Sequence, residues 1–121
     1  MRTIPDSGYI YLASPYSHPD PIVREARYLA AMREVAGCLR ENITIYSPIV
    51  HYHELAKITD LPKEVEFWET YNYIMLRAAE MLWVLMLDGW EKSKGIEKEM
   101  AKAREFKIPV IQLNPKKGVY V

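Results

Sequence analysis

The sequence predicts a small three-layer α/β domain built on a parallel sheet of four to five strands. Three observations carry that reading. Strand-like and helix-like periods alternate along the chain, turn-rich segments separate them, and Met81–Leu87 (MLWVLML) is a nearly continuous apolar run. A strand that loses the usual polar–apolar alternation is buried on both faces, as happens in parallel sheets covered by helices on each side. Strand–helix alternation of this kind is expected to use right-handed crossovers.

Each element follows in order. Tyr9–Ala13 (YIYLA) is a β-rich run that stops at the turn-rich loop Ser14-Pro15-Tyr16-Ser17. Pro21 to Leu39 has helical spacing, with Ile22, Ala26, Leu29, Val35 and Leu39 roughly on one face, and Asp20-Pro21 supplies an N-cap followed by proline at the first helical position. Asn42 ends that helix. Ile43–Tyr46 (ITIY) is a second strand closed by Ser47-Pro48, and Ile49–Pro62 reads as irregular, with a helical turn at Tyr52–Ala56. Lys63–Ala79 is a second long helix rich in aromatics, Met81–Leu87 the central strand, and Pro109–Leu113 (PVIQL) the last strand after one more helix.

Length and composition bound the function. A chain of 121 residues makes one domain, spanning 1–121, with a single core. Sixteen basic and sixteen acidic side chains cancel, so no global field draws in nucleic acid or an anionic membrane. Cys38 is the single cysteine, which excludes an internal disulfide and fits a reducing cytoplasm, and its apolar helical setting reads as a buried structural thiol. No apolar stretch approaches the ~20 residues of a membrane span. Arg2, Pro5 and Asp6 argue against a secretory leader.

In an open parallel sheet, ligands bind beyond the carboxyl ends of the strands. That rule selects Ser14–His18, Ser47–His53 and Asp88–Gly95. The third stretch runs into the helix that holds Glu97 and Glu99. At about 100° per residue, Ile96, Met100, Ala103 and Phe106 form its apolar stripe, and Glu99 falls inside that stripe while Glu97 points outward with Lys98, Arg104 and Glu105. An unpaired buried carboxylate costs several kcal/mol, so Glu99 needs a reason to be there. One reason is a stripe-edge residue that favours the positive helix end or pairs with a lysine. The other is chemistry.

The pattern Ser93-x-Gly95-x-x-x-Glu99-x-x-x-Ala103 after a buried strand resembles the signature of the nucleoside 2-deoxyribosyltransferase superfamily. Tyr9–Ser17 (YIYLASPYS) is similar to that superfamily's first strand and loop, and Trp90-Glu91-Lys92-Ser93 resembles a branch ending in WE.S.G...E. The resemblance implies a flavodoxin-like fold and an N-glycosidase or deoxyribosyltransferase working without cofactor or metal. It implies that Glu99 attacks the anomeric carbon of a nucleoside or nucleotide, forming a glycosyl–enzyme ester that water or a second base releases with retention. Tyr11 is implied as the residue orienting the nucleophile, with Tyr9, two residues earlier on the same face, as the alternative. Ser93 stands where transferases of free nucleosides carry an acid. A serine hydroxyl there can donate to phosphate oxygens at a helix start, which points to a nucleoside 5′-monophosphate; it can equally be a helix cap.

The sequence also departs from the family pattern. Asn72 and Glu80 stand where many members have aspartates, and an amide cannot protonate a departing base; Asp88 is the expected substitute. The first loop carries no arginine for phosphate, which leaves Ser14, Ser17 and His18, or a basic residue of a neighbouring subunit. Ser14, Tyr16, Ser17, Asn72, Asp88, Trp90, Ser93 and Gly95 are the expected substrate contacts, with Trp90 positioned to stack on a base. His51, Tyr52, His53 and Glu54 do not make a metal motif, because zinc needs a third protein ligand at defined spacing; pocket lining or solvent is the expectation for the two histidines. The aromatic helix Lys63–Ala79, with Phe67, Trp68, Tyr71, Tyr73, Ile74 and Met75, predicts a homo-oligomer unless these side chains cover Ile49–Pro62. A non-catalytic nucleotide-sensing module is the reading from another class. A flavin domain is disfavoured, since no Ser/Thr/Gly-rich phosphate loop follows the first strand.

Overall fold

The computed structural model describes residues 7–62 and 64–115. Four parallel strands, β1 (Ile10–Ala13), β2 (Ile45–Tyr46), β3 (Met81–Leu85) and β4 (Val110–Leu113), form one sheet in the order β2-β1-β3-β4. Tyr11 pairs with Tyr46 on one side and Leu82 on the other, and Leu85 with Leu113. This is a flavodoxin-like order, and the chain reverses direction across the sheet between β1 and β3.

Strand alternation divides the core. Ile10, Leu12, Met81, Trp83 and Leu85 pack with Cys38 and Val35 of α1 (Pro21–Arg40). Tyr11, Ala13, Leu82 and Val84 face the other way, against Leu76 of α3 (Val65–Arg77) and Ile96 and Ala103 of α4 (Lys94–Glu105). All five residues of β3 are buried, as its unbroken apolar run predicts. Asp20 caps α1 by accepting from the Ile22 N–H at 2.9 Å, and Asn42 beyond its end takes the left-handed conformation.

Residues 49–62 are a correction. Pro48–Thr59 form a twelve-residue helix, α2. Ser47 caps it, its Oγ accepting from the Val50 N–H at 3.1 Å, and Pro48 takes the first helical position. Ile49, Tyr52, His53 and Ala56 are its buried face, a run of i, i+3, i+4 and i+7. Strand β2 is correspondingly shorter than Ile43–Tyr46. Lys63, the expected start of the next helix, lies outside the described residues, and α3 begins at Val65.

The α3 aromatics divide between two environments. Trp68 is buried, stacked on Tyr52 of α2 at 4.4 Å between ring centroids, so it does cover the segment before it. Phe67, Tyr71 and Ile74 are 51%, 39% and 64% exposed along one outer stripe. Among the described residues no helix is long and apolar enough to cross a membrane.

Candidate functional site

The C-terminal ends of β1 and β3 open into a cavity of about 670 Å³, at the crevice where the strand order reverses. α4 starts at its rim. Ser93 caps that helix, its Oγ accepting from the Ile96 N–H at 3.2 Å, and one turn further Glu99 reaches the cavity beneath. Glu97, two residues earlier, is exposed. The helical spacing therefore separates the two carboxylates into water and core.

Glu99 is 8% exposed, and burial lifts its carboxyl from the ordinary 4.5 to about 7. The Tyr11 hydroxyl donates to Glu99 Oε2, which works in the opposite direction by favouring the carboxylate. Tyr11 is itself fully buried on β1, and burial followed by the neighbouring Glu99 pushes its phenol well above the ordinary range, so it stays a neutral donor. Tyr9, the alternative partner, donates to the Met75 carbonyl instead. Among the described residues no cation lies within ion-pair distance of Glu99; Lys98 beside it is taken by Glu69 at 2.6 Å. Among the described residues, the lysine-paired reading of Glu99 therefore has no partner.

Ser14, Tyr16, Ser17, Asn72, Ser93 and Gly95 line the same cavity as Glu99. Ser14 Oγ and Asn72 Oδ1 are buried there without a hydrogen-bond partner, polar atoms that a ligand can satisfy. Two expected contacts are elsewhere. Asp88 is exposed outside the cavity lining, with its backbone carbonyl turned to Arg27. Trp90, at the head of the short 3₁₀ turn Trp90–Lys92, packs against the α3–α4 core cluster.

Residues 8–114 match the family described as Domain of unknown function (DUF1937). The chain belongs to that family. No curated protein matches the sequence.

The DUF1937 chain supplies a cation that sequence reading missed. Arg27, on α1, lines the cavity and ties its rim together: Nη1 donates to the Ser17 carbonyl at 3.0 Å and Nη2 to the Asp88 carbonyl at 3.2 Å. Gly89 admits it. A Cβ at Gly89 would lie 2.6 Å from Arg27 Nη2, and Gly89 holds φ +90°, a left-handed conformation that suits glycine. No carboxylate among the described residues pairs with Arg27, so its charge is balanced by carbonyl dipoles alone. The available signal was position: the helix that follows β1 begins beside the strand ends.

Of the two histidines, one meets the expectation of solvent or pocket lining and the other does not. His51 is exposed and stacks on Tyr71. His53 is buried behind the cavity wall, its Nδ1 2.6 Å from the Tyr16 hydroxyl and its Nε2 2.9 Å from Glu25 Oε1. Glu54 brings a carboxylate near, so that one ligand atom each of Glu25, His53 and Glu54 lie within 4.8 Å of one another. Both imidazole nitrogens already have protein partners, and hydrogen bonding accounts for the cluster.

Proposed function

We propose that this protein is an N-glycosidase that cleaves the base–sugar bond of a nucleoside 5′-monophosphate through a glycosyl–enzyme ester on Glu99. The observation that supports it most is the setting of Glu99. A carboxylate without a cation, buried on a cavity floor and held by one phenol, is costly for folding and suited to attack on an electrophilic carbon. Tyr11 fixes the attacking carboxylate and steadies its charge. The polar rim suits the phosphate: Ser93 accepts from the Ile96 N–H and keeps its own O–H to donate, at a helix start that favours anions, with Arg27, Lys92 and Lys94 around the same space. Ser14 and Asn72 have free hydrogen-bonding capacity for sugar or base.

Transfer to a second base instead of water uses the same first step. A non-catalytic nucleotide sensor has no use for the energetic cost of Glu99, and Glu99→Gln would preserve its output. The exposed stripe Phe67–Tyr71–Ile74 supports a homo-oligomer, most simply a symmetric dimer. The test of function is incubation with a panel of nucleosides and 5′-monophosphates, followed by chromatography for free base. Base released from monophosphates in preference to free nucleosides is the expected result. Adding a second base separates transfer from hydrolysis, and no release from any substrate would overturn the reading.

A further inference from the structure

Cleaving a base–sugar bond needs a proton for the departing nitrogen as well as a nucleophile for the sugar. The residues expected to supply it do not: Asn72 is an amide, and Asp88 lies outside the cavity lining. Another group has the chemistry. Tyr16 lines the cavity with Glu99, and its hydroxyl is 2.6 Å from His53 Nδ1. The imidazole is clamped between the edge of Tyr16 and the face of Tyr28, whose ring lies 4.0 Å away and nearly parallel. On its far side Nε2 meets Glu25 Oε1 at 2.9 Å, and the Glu25 side chain is 43% exposed, with Lys57 Nζ 4.0 Å from the same oxygen. A continuous hydrogen-bonded path thus runs from the cavity wall through a buried histidine to water.

We propose that Tyr16 is the acid–base residue of the glycosidase reaction and that His53 and Glu25 are positioning residues that resupply its proton. This rests on the N-glycosidase reading. With Nε2–H donating to the Glu25 carboxylate, Nδ1 is the nitrogen that exchanges a proton with Tyr16. In the first step a Glu99 oxygen bonds to the anomeric carbon and the carbon–nitrogen bond breaks, its electron pair going to the base nitrogen. The Tyr16 hydroxyl proton goes to that nitrogen, and the Nδ1 proton of the His53 imidazolium replaces it on Tyr16. In the second step a water oxygen bonds to the anomeric carbon and the ester electron pair returns to Glu99. The water's proton passes through Tyr16 back to Nδ1. One relay serves as acid and then as base, as double displacement requires.

Leaving-group chemistry tests this. A nucleoside 5′-monophosphate cleaved by the wild type needs its base protonated, whereas the p-nitrophenyl glycoside of the same sugar 5′-phosphate loses phenolate without a proton. Tyr16→Phe removes one oxygen and keeps the buried ring, and circular dichroism checks its fold. Tyr16→Phe and His53→Gln should lose ~100-fold or more in base release. The pre-steady-state burst of p-nitrophenolate, which reports only the first step, should stay within about threefold of wild type, while later turnover slows for want of the second-step base. Glu25→Gln, at a half-exposed position, should show a smaller loss of the same selective kind, whereas Glu99→Gln should lose both substrates. An equal loss of base release and of the p-nitrophenolate burst in Tyr16→Phe, or no loss of either, would overturn the relay and leave the Glu99 reading standing. A wild type that cleaves no nucleotide would overturn both.

Discussion

Two tyrosines five residues apart each lead to a carboxylate, and the two pairs are built in opposite ways. Tyr11 points into the layer between β1 and α4 and holds Glu99 directly, at a buried place on the cavity wall. Tyr16 turns toward α1 and α2 and reaches Glu25 only through His53, with Glu25 half in solvent. Burial decides what each pair can do. A buried carboxylate with no cation beside it keeps its electrons for an electrophile once it is ionised, at a cost the fold must bear. A carboxylate in contact with water can exchange protons continuously and costs little.

The largest effect expected from this contrast is on stability. Glu99 has its folded-state carboxyl raised to about 7 from an ordinary 4.5. Between those values the folded protein holds more protons than the unfolded chain, so stability falls as pH rises through the window and the full penalty remains above it. Glu99→Gln removes the penalty and should stabilise the protein at pH 8 by a few kcal/mol, on the order expected for such a shift. The advantage should shrink toward pH 4. Glu25→Gln should change stability little at either pH, since exposed ion pairs contribute roughly 0–1 kcal/mol. Denaturant melts of both variants at the two pH values make the comparison, and equal behaviour would break it.

A smaller effect is expected at the rim that both pairs share. Ser93→Asp places a carboxylate at the start of α4, facing the proposed phosphate. Activity on 5′-monophosphates should fall by roughly tenfold or more relative to free nucleosides, through direct repulsion. Equal losses on both would reduce Ser93 to the helix cap it also is. The smallest expected effect is on assembly. Ile74→Glu, on the exposed stripe of α3, should shift light scattering at micromolar concentration toward the 14.2 kDa monomer while leaving both carboxylate pairs intact. A wild type that is already monomeric and fully active would remove the dimer from the account.

The same contrast explains what could be read in the sequence. The Tyr11–Glu99 side was legible because its signals are local: β3 announces itself by an unbroken apolar run, and a glutamate on an apolar helical stripe can be found by counting. The Tyr16–His53 side was not. Ser47-Pro48 ends one element and caps the next, and reading it as a stop hid α2, although Ile49, Tyr52, His53 and Ala56 already carried the helical spacing. His53 and Glu25 are 28 residues apart, and only the packing of α1 on α2 brings them to 2.9 Å. Arg27 looked like one more charged residue on a long helix, and its role at the rim depends on where that helix crosses the loops. Trp90 and Asp88 misled the other way, being near the site in sequence but outside its lining, Trp90 packed on the core cluster and Asp88 exposed.

The proposed reaction passes through a covalent bond between the sugar and Glu99, which intact-protein mass spectrometry detects. Incubation with a 2′-fluoro nucleoside 5′-monophosphate, whose fluorine slows hydrolysis of the ester, should add the mass of the sugar phosphate without the base. Proteolysis should locate that mass on the peptide containing Glu99, with none in Glu99→Gln and full labelling in Glu97→Gln. Base release with no adduct, or an adduct that persists in Glu99→Gln, would contradict the account.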